Sequence, residues 1–422
     1  MLALISCQVF QMPESALLGT LERKSGRIAF VGMDGNIYTM NQAGQDVASI
    51  TEDAYFGNDA TIRISYFYPT WALDGRRLAF IGYSQKLGQS PDASLYTARH
   101  DGSELTTIFS QTDKHPFYLY WLPSSEHVSF LSSTVRDSQF SLAMVPARGG
   151  APLEIGVGIP FYWAWSPNST ALVAHTSGLS GHEPDQDKLS VVYINREVVH
   201  RRLTVLPSFF QSPVYSPDGN YFVTAIENGP ATSSILLSDS SGETEMILAD
   251  FQGKAAFDWS PDGDRLAYIS GSPATFGMVG SLTLIELSDF AHPKTFETDA
   301  SAVAAFFWSP SGRKLAYFEP YFAKDQEQGG QSLKFKLSVL DVTSGDILML
   351  GSFRPPEVLL TQVFPHFDQY QRSATIWSPD GRYLVVNALK EDEIPGIFVV
   401  ESSGNFEPRL ISDGVMPFWS RN

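Results

Sequence analysis

The chain predicts an all-β protein assembled from repeated hairpin units, on three observations. An aromatic-led turn motif recurs along it, Gly, Pro and Ser punctuate it at short intervals with almost no helix signals between, and its two ends carry complementary halves of one unit. The motif is clearest at Trp259-Ser260-Pro261-Asp262-Gly263-Asp264-Arg265-Leu266-Ala267-Tyr268, and nearly copied from Trp308 and from Trp377. Fainter versions start at Trp71, Trp121, Trp165 and Tyr215, so successive aromatic positions lie 50, 44, 50, 44, 49 and 69 residues apart. A period in this range marks a solenoid, a propeller or an array.

Each copy has a local reading. Ser-Pro-Asp-Gly is a type I turn in which Pro presets φ at the second position and Gly closes the fourth. An apolar run ends at the aromatic before it, and a β-rich run such as Arg265–Ile269 follows, which makes a hairpin. A second strand pair comes later in each unit, for example Leu337–Leu340 then Ile347–Met349, separated by Thr343-Ser344-Gly345. Four short strands per unit of roughly 45 residues form one blade of a β-propeller.

The ends decide the count. Met416–Asn422 reads as the first strand of a blade and nothing more, whereas Ser25–Val31 reads as a second strand, with Asn36–Met40 and Val47–Thr51 as third and fourth. A ring must close to leave no raw edges, so the expectation is an eight-bladed β-propeller of four-stranded blades, closed by a C-terminal inner strand beside three N-terminal strands. Residues 25–422 then form one propeller domain, preceded by a stub over 1–24. Seven of the eight tryptophans sit at the repeat aromatic, Trp163 being the exception.

With 43% hydrophobic and 13% aromatic residues the core is ample, and the net charge of −17 argues against a nucleic-acid partner, since phosphates demand a basic footprint. The single cysteine excludes an internal disulfide. Leu4-Ile5-Ser6-Cys7 resembles a bacterial lipobox, which would make Cys7 a lipidation site and a membrane association purely lipid-mediated; the other reading is an apolar stub with an incidental cysteine.

Strand alternation puts the first-to-second and third-to-fourth turns on one face and the remaining connections on the other. The first face carries tight turns. The second carries the long connections Ser84–Ala93, Ser177–Lys188, Ser270–Gly280, Glu319–Ser332 and Lys390–Gly396, and the crossings Glu52–Ser65 and Phe353–Arg372. Long loops on a rigid scaffold are the usual carriers of binding, and this face is aromatic and acidic. Its candidate binding residues are Tyr55, Tyr66, Tyr321, Phe322, His366, Phe367 and Tyr370, with acids including Asp53, Asp59, Glu183, Asp185, Asp187 and Asp325 around them. Pro365-His366-Phe367-Asp368 in the longest crossing is the preferred cluster. Asp258 is an odd acid in an inner strand, where the matching residues are Thr70, Tyr120, Ala164, Val214, Phe307, Ile376 and Phe418. It either looks into the channel or caps a neighbouring turn.

Catalytic constellations are weak. Gly178-Leu179-Ser180-Gly181 misses the spacing of a nucleophile elbow, His182-Glu183 is followed by Pro184 with no second ligand, and no phosphate-cradling glycine loop appears. No catalytic residue, metal or cofactor is therefore expected.

Trp-Ser-Pro-Asp-Gly followed by Leu-Ala-Tyr or Leu-Ala-Phe resembles the WD-like repeat of the TolB family, over residues 25–422. The same repeat occurs in the propeller domain of dipeptidyl peptidases of the prolyl oligopeptidase family. The resemblance implies a periplasmic or extracellular propeller, expected to be monomeric, that binds a protein or peptide, an envelope lipoprotein or a glycan without catalysis. Two departures stand out: TolB has six blades and a separate α/β domain, and the peptidases carry a hydrolase domain after the propeller. The alternatives are a propeller glycosidase or lyase with channel carboxylates, and a detached regulatory propeller of a peptidase.

Overall fold

The structure, a computed structural model, describes residues 26–422 apart from 58–60, 135–138, 178–187, 209–210, 230–231, 244, 275–276, 325–329 and 406. Cys7, the stub and the acids Asp59, Glu183, Asp185, Asp187 and Asp325 lie outside the described residues. Eight antiparallel sheets form the ring. Blade 1 holds Val415–Trp419, Ile28–Val31, Ile37–Met40 and Ala48–Ser49 from the axis outward, with Ile28 opposite Trp419 and Ala29 opposite Phe418. Arg27 N–H donates to Ser420 Oγ at 2.9 Å and Ser420 N–H to Arg27 O at 2.7 Å, so head and tail share one sheet.

The inner strands of blades 2 to 7 are Ile62–Trp71, Lys114–Trp121, Phe161–Trp165, Val214–Tyr215, Lys254–Trp259 and Ala305–Trp308. Blade 8 departs from the four-strand expectation. Its sheet has three strands, Tyr383–Leu389, Pro395–Glu401 and Arg409–Asp413, and its inner strand shrinks to the bridge between Trp377 and Leu384. Two of the expected long loops are continuations of hairpins: Arg265–Ala274 pairs with Gly277–Glu286, and Lys314–Lys324 with Gln331–Asp341.

The repeat residues earn their places by hydrogen bonds. At Ser378 the hydroxyl donates to Asp380 Oδ1 at 2.7 Å and accepts from Tyr383 N–H at 2.9 Å, while Gly381 N–H donates to Ser378 O at 2.9 Å. Gly381 sits at φ +68, a left-handed conformation that costs a side chain free energy. The repeat tryptophan fastens most blades to the one before. Its indole N–H donates to the carbonyl that precedes the neighbouring aromatic: Trp71 to Phe418 O at 2.9 Å, Trp121 to Thr70 O at 3.0 Å, Trp308 to Asp258 O at 3.2 Å and Trp377 to Phe307 O at 2.9 Å. Trp165 reaches Tyr120 O through the Ser129 hydroxyl, 3.0 Å on each side.

Trp259 is equally buried, yet its indole N–H has no hydrogen-bond partner among the described residues. Trp121→Phe is therefore expected to cost about 1 kcal/mol more than Trp259→Phe, one net hydrogen bond. Paired urea titrations read the difference, and equal losses would deny the fastening role.

Candidate functional site

An inner strand turns one edge of backbone N–H and C=O groups toward the propeller axis, and these need partners. The crossing that follows Phe353 supplies them. It is broken from the outer strand by Pro355-Pro356, then coils through a π turn at Leu359–Val363, a 3-10 turn at Phe364–His366 and an α turn at Phe367–Tyr370. Its apolar side chains face blade 7: Phe364 stacks on Phe335 with centroids 4.8 Å apart, and Phe367 meets Phe306 and Phe307 edge-on at 5.2 and 5.5 Å.

Its polar run, Asp368 to Arg372, matches exposed backbone. Asp368 Oδ2 accepts from Ser212 N–H at 2.7 Å; Gln369 Oε1 accepts from Trp163 N–H at 3.0 Å while its amide donates to Trp163 O at 3.2 Å. Gln371 Nε2 donates to Phe257 O at 3.3 Å, and the Arg372 guanidinium donates to Pro213 O. Tyr68 donates to Gln362 Oε1 at 2.5 Å and Tyr118 to Gln369 O at 2.9 Å. Thr375 O accepts from Trp419 N–H at 2.7 Å. The segment is a hub inside the ring.

The sequence-predicted residues separate accordingly. Phe367, 2% exposed, is core rather than ligand surface, because blade 7 needs an apolar partner on the axis. Tyr66, 5% exposed, is an inner-strand residue whose hydroxyl donates to Asp53 Oδ1 at 2.7 Å. Tyr370 is half-buried, stacked on Tyr118 at 4.3 Å, and His366 Nδ1 lies 3.4 Å from the Tyr162 hydroxyl. Tyr55 and Phe322 are exposed; Tyr321 lies under Lys336, Nζ 5.5 Å from the ring. Tyr66, Tyr370 and His366 thus serve the hub and its surroundings or the sheet, and the seven loop-face residues do not converge on one described cavity. Asp258 does look into a cavity, but on the other face.

That cavity, of about 570 Å³, is an axial funnel opening among the tight turns. Its collar takes the second residue of the turn from every blade: Leu73, Pro123, Pro167, Pro217, Pro261, Pro310, Pro379 and Arg421. Arg421 holds the proline position because Trp419-Ser420-Arg421-Asn422 is the motif of the closing blade. Repeat aromatics including Trp165, Tyr215, Trp259, Trp308 and Trp377 wall it, and the hub residues Gln371, Arg372, Ala374 and Thr375 with Asp258 form its floor. Its size falls in the range of about 300–1,000 Å³ usual for ligand pockets.

The floor is electrostatically unusual. Burial pushes the Asp258 carboxyl up to about 6, against the pull of Arg372 and Arg421. Deeper in the hub, burial likewise pushes Asp368 up to about 6 despite the amides of Ser212 and Gln369 and the charge of Arg372. Arg372 Nε, Gln371 Oε1 and Trp259 Nε1, all on residues lining the funnel, are buried without hydrogen-bond partners among the described residues.

A carboxylate whose folded value lies above its unfolded one binds protons more tightly when folded, so its contribution to stability falls as pH rises from about 4 through 6. Asp258→Asn is accordingly expected to stabilise the protein at pH 7.5 by about 1–2 kcal/mol, discounted for partial exposure, and to be neutral near pH 4. Urea unfolding at both values checks this. A pH-independent effect would show that the two arginines offset burial completely.

Arg372 and Arg421 were not among the residues singled out from sequence. For Arg421 a signal existed, a cation at a position otherwise held by Pro or Leu. For Arg372 there was none, since only the path of the crossing brings it to the axis. Among the described residues, no group of three His, Cys, Asp or Glu side chains is placed to hold a metal ion, and no helix is long and apolar enough to cross a membrane.

No family model and no curated protein matches the chain. Solved structures do. Oligogalacturonate lyase from Vibrio parahaemolyticus is 14% identical, with a TM-score of 0.51 over 89% of this chain and 98% of that one. The propeller domain of the Trilobed protease from Pyrococcus furiosus is 10% identical, with a TM-score of 0.50 over 83% and 98%. A TolB from Agrobacterium tumefaciens is 14% identical, with a TM-score of 0.39 over 78% and 90%. The shared feature is the propeller fold. The neighbours include a protease propeller domain, whose propeller fold the chain shares.

Proposed function

We propose that this propeller is a non-catalytic binding module that seats an extended segment of a peptide or protein partner in the axial funnel. The observation that carries the reading is the funnel itself: a collar drawn from all eight blades, apolar in seven and cationic at Arg421, above a polar floor that holds one carboxylate, Asp258, among its described lining residues. Glycosidases canonically pair two carboxylates about 5–10 Å apart, and the described lining of the funnel offers one, Asp258, which favours the binding reading. The long-loop face is the less favoured seat, because the hub occupies the axis behind it. An extracytoplasmic location accompanies this reading through the TolB-like repeat, and mass spectrometry of the mature N-terminus tests it at Cys7.

The test is capture of randomised hexapeptides on immobilised protein. Leu73→Glu with Pro261→Glu places two charges in the collar and should reduce capture at least about tenfold, equivalent to about 1.4 kcal/mol. Tyr55→Ala with Phe322→Ala on the opposite face should leave capture unchanged. The reverse pattern would move the site to the long-loop face and reject the funnel.

A further inference from the structure

We infer that the funnel floor reads the free C-terminal carboxylate of the bound chain, with Arg372 and Arg421 as its guanidinium donors. This rests on the peptide-binding reading above and adds which part of the chain is recognised.

The funnel is blind. Gln371 to Ile376 run beneath it, tied to neighbouring blades by the bonds from Gln371 to Phe257 O and from Trp419 N–H to Thr375 O. A chain cannot thread through and must enter by one end or as a narrow loop. A side-chain carboxylate belongs to a chain that continues in both directions and would bring two strands past the collar; a terminal carboxylate needs one. Six of the eight collar positions are proline, which has no backbone N–H to offer. Apart from Arg421 the collar therefore supplies apolar contact, and the polar discrimination falls to Arg421 and the floor beneath it.

The floor's charge selects the end. Two guanidinium groups and one carboxylate, Asp258, line the funnel in a protein of net charge −17, while Asp368 lies deeper in the hub and is engaged by the Ser212 amide. Arg372 already donates to Pro213 O, and Arg421 donates to Arg372 O at 3.0 Å, so the two arginines are positioned against each other rather than free to sweep solvent. Arg372 Nε and Trp259 Nε1, both buried behind the lining, have no hydrogen-bond partner among the described residues. A planar, doubly accepting anion matches donors of this geometry, which is why guanidinium groups favour carboxylates. An ammonium terminus would meet the two arginines as like charges.

The experiment compares three hexapeptide pools on the full chain, read by mass spectrometry of captured peptides: free C-terminal acids, the same sequences as C-terminal amides, and amidated peptides carrying one internal Asp. The free-acid pool should be captured at least tenfold better than either amide pool. Arg372→Gln and Arg421→Gln should each erase that preference, with thermal unfolding confirming the fold. Arg421 is exposed at the collar, so its variant keeps the test valid if loss of the Arg372 bond to Pro213 impairs folding. Equal capture of acid and amide pools, or a preference unaltered by Arg421→Gln, would overturn the inference while leaving peptide binding intact. Arginine-dependent capture of the internal-Asp pool would overturn recognition of the chain end. Capture of none of the three would sink this inference and the binding reading together.

Discussion

Trp419→Ala is expected to lower the free energy of unfolding by about 3–5 kcal/mol, the range for truncating a large buried aromatic. Trp419 is fully buried, pairs with Ile28 and donates its backbone N–H to Thr375 O at 2.7 Å. It therefore touches the joint between the chain ends and the hub at once. Its strand also carries Met416 and Phe418, both buried, and Phe418 O receives the Trp71 indole. Removing 415–422 would strip the inner strand from blade 1 and leave its edge unpaired against the axis, so that deletion should abolish cooperative unfolding altogether. Chemical denaturation of the point variant is the direct measurement. A loss below about 1 kcal/mol would mean that the ring does not depend on its closing strand.

Gln369→Leu is expected to cost about 1–3 kcal/mol, chiefly because one buried backbone donor loses its acceptor. The side chain is 1% exposed and spans three groups: it accepts from Trp163 N–H and from Ser212 Oγ, and donates to Trp163 O. The Trp163 carbonyl keeps a second donor in the Tyr120 hydroxyl at 3.2 Å, so the orphan is the Trp163 N–H. The change nearly conserves volume, which separates the hydrogen-bond effect from a cavity effect. Because the hub also carries Arg372 to the funnel floor, the same variant should weaken peptide capture. Unchanged stability would imply that the inner-strand edges do not need the hub.

The repeat was legible because its parts act locally. Ser378, Asp380 and Gly381 bond to one another within five residues, and the same short-range logic recurs at Ser260 and Ser216. Ring closure was legible because two incomplete blades imply each other. The hub was not. Pro365-His366-Phe367-Asp368 has the composition of a binding loop, and in the fold Phe367 turns to Phe306 and Phe307 while Asp368 accepts from Ser212 N–H. Aromatic and amide side chains that fill a channel and those that grip a ligand are the same residue types. The reduced inner strand of blade 8 was hidden for a related reason: its motif at Trp377 is intact, while the chain before it is committed to the axis.

By itself the amino-acid sequence determined the all-β class, the number of blades, the turn chemistry and the joining of the ends, since each follows from contacts between residues close in sequence or from a count of halves. Only the tertiary structure decided which face holds the cavity. That outcome depends on one crossing entering the axis to satisfy backbone groups more than a hundred residues away, among them the Phe257 carbonyl and the Trp163 amide. Nothing local in 354–373 encodes those partners, because an open strand edge exists only after the ring has formed.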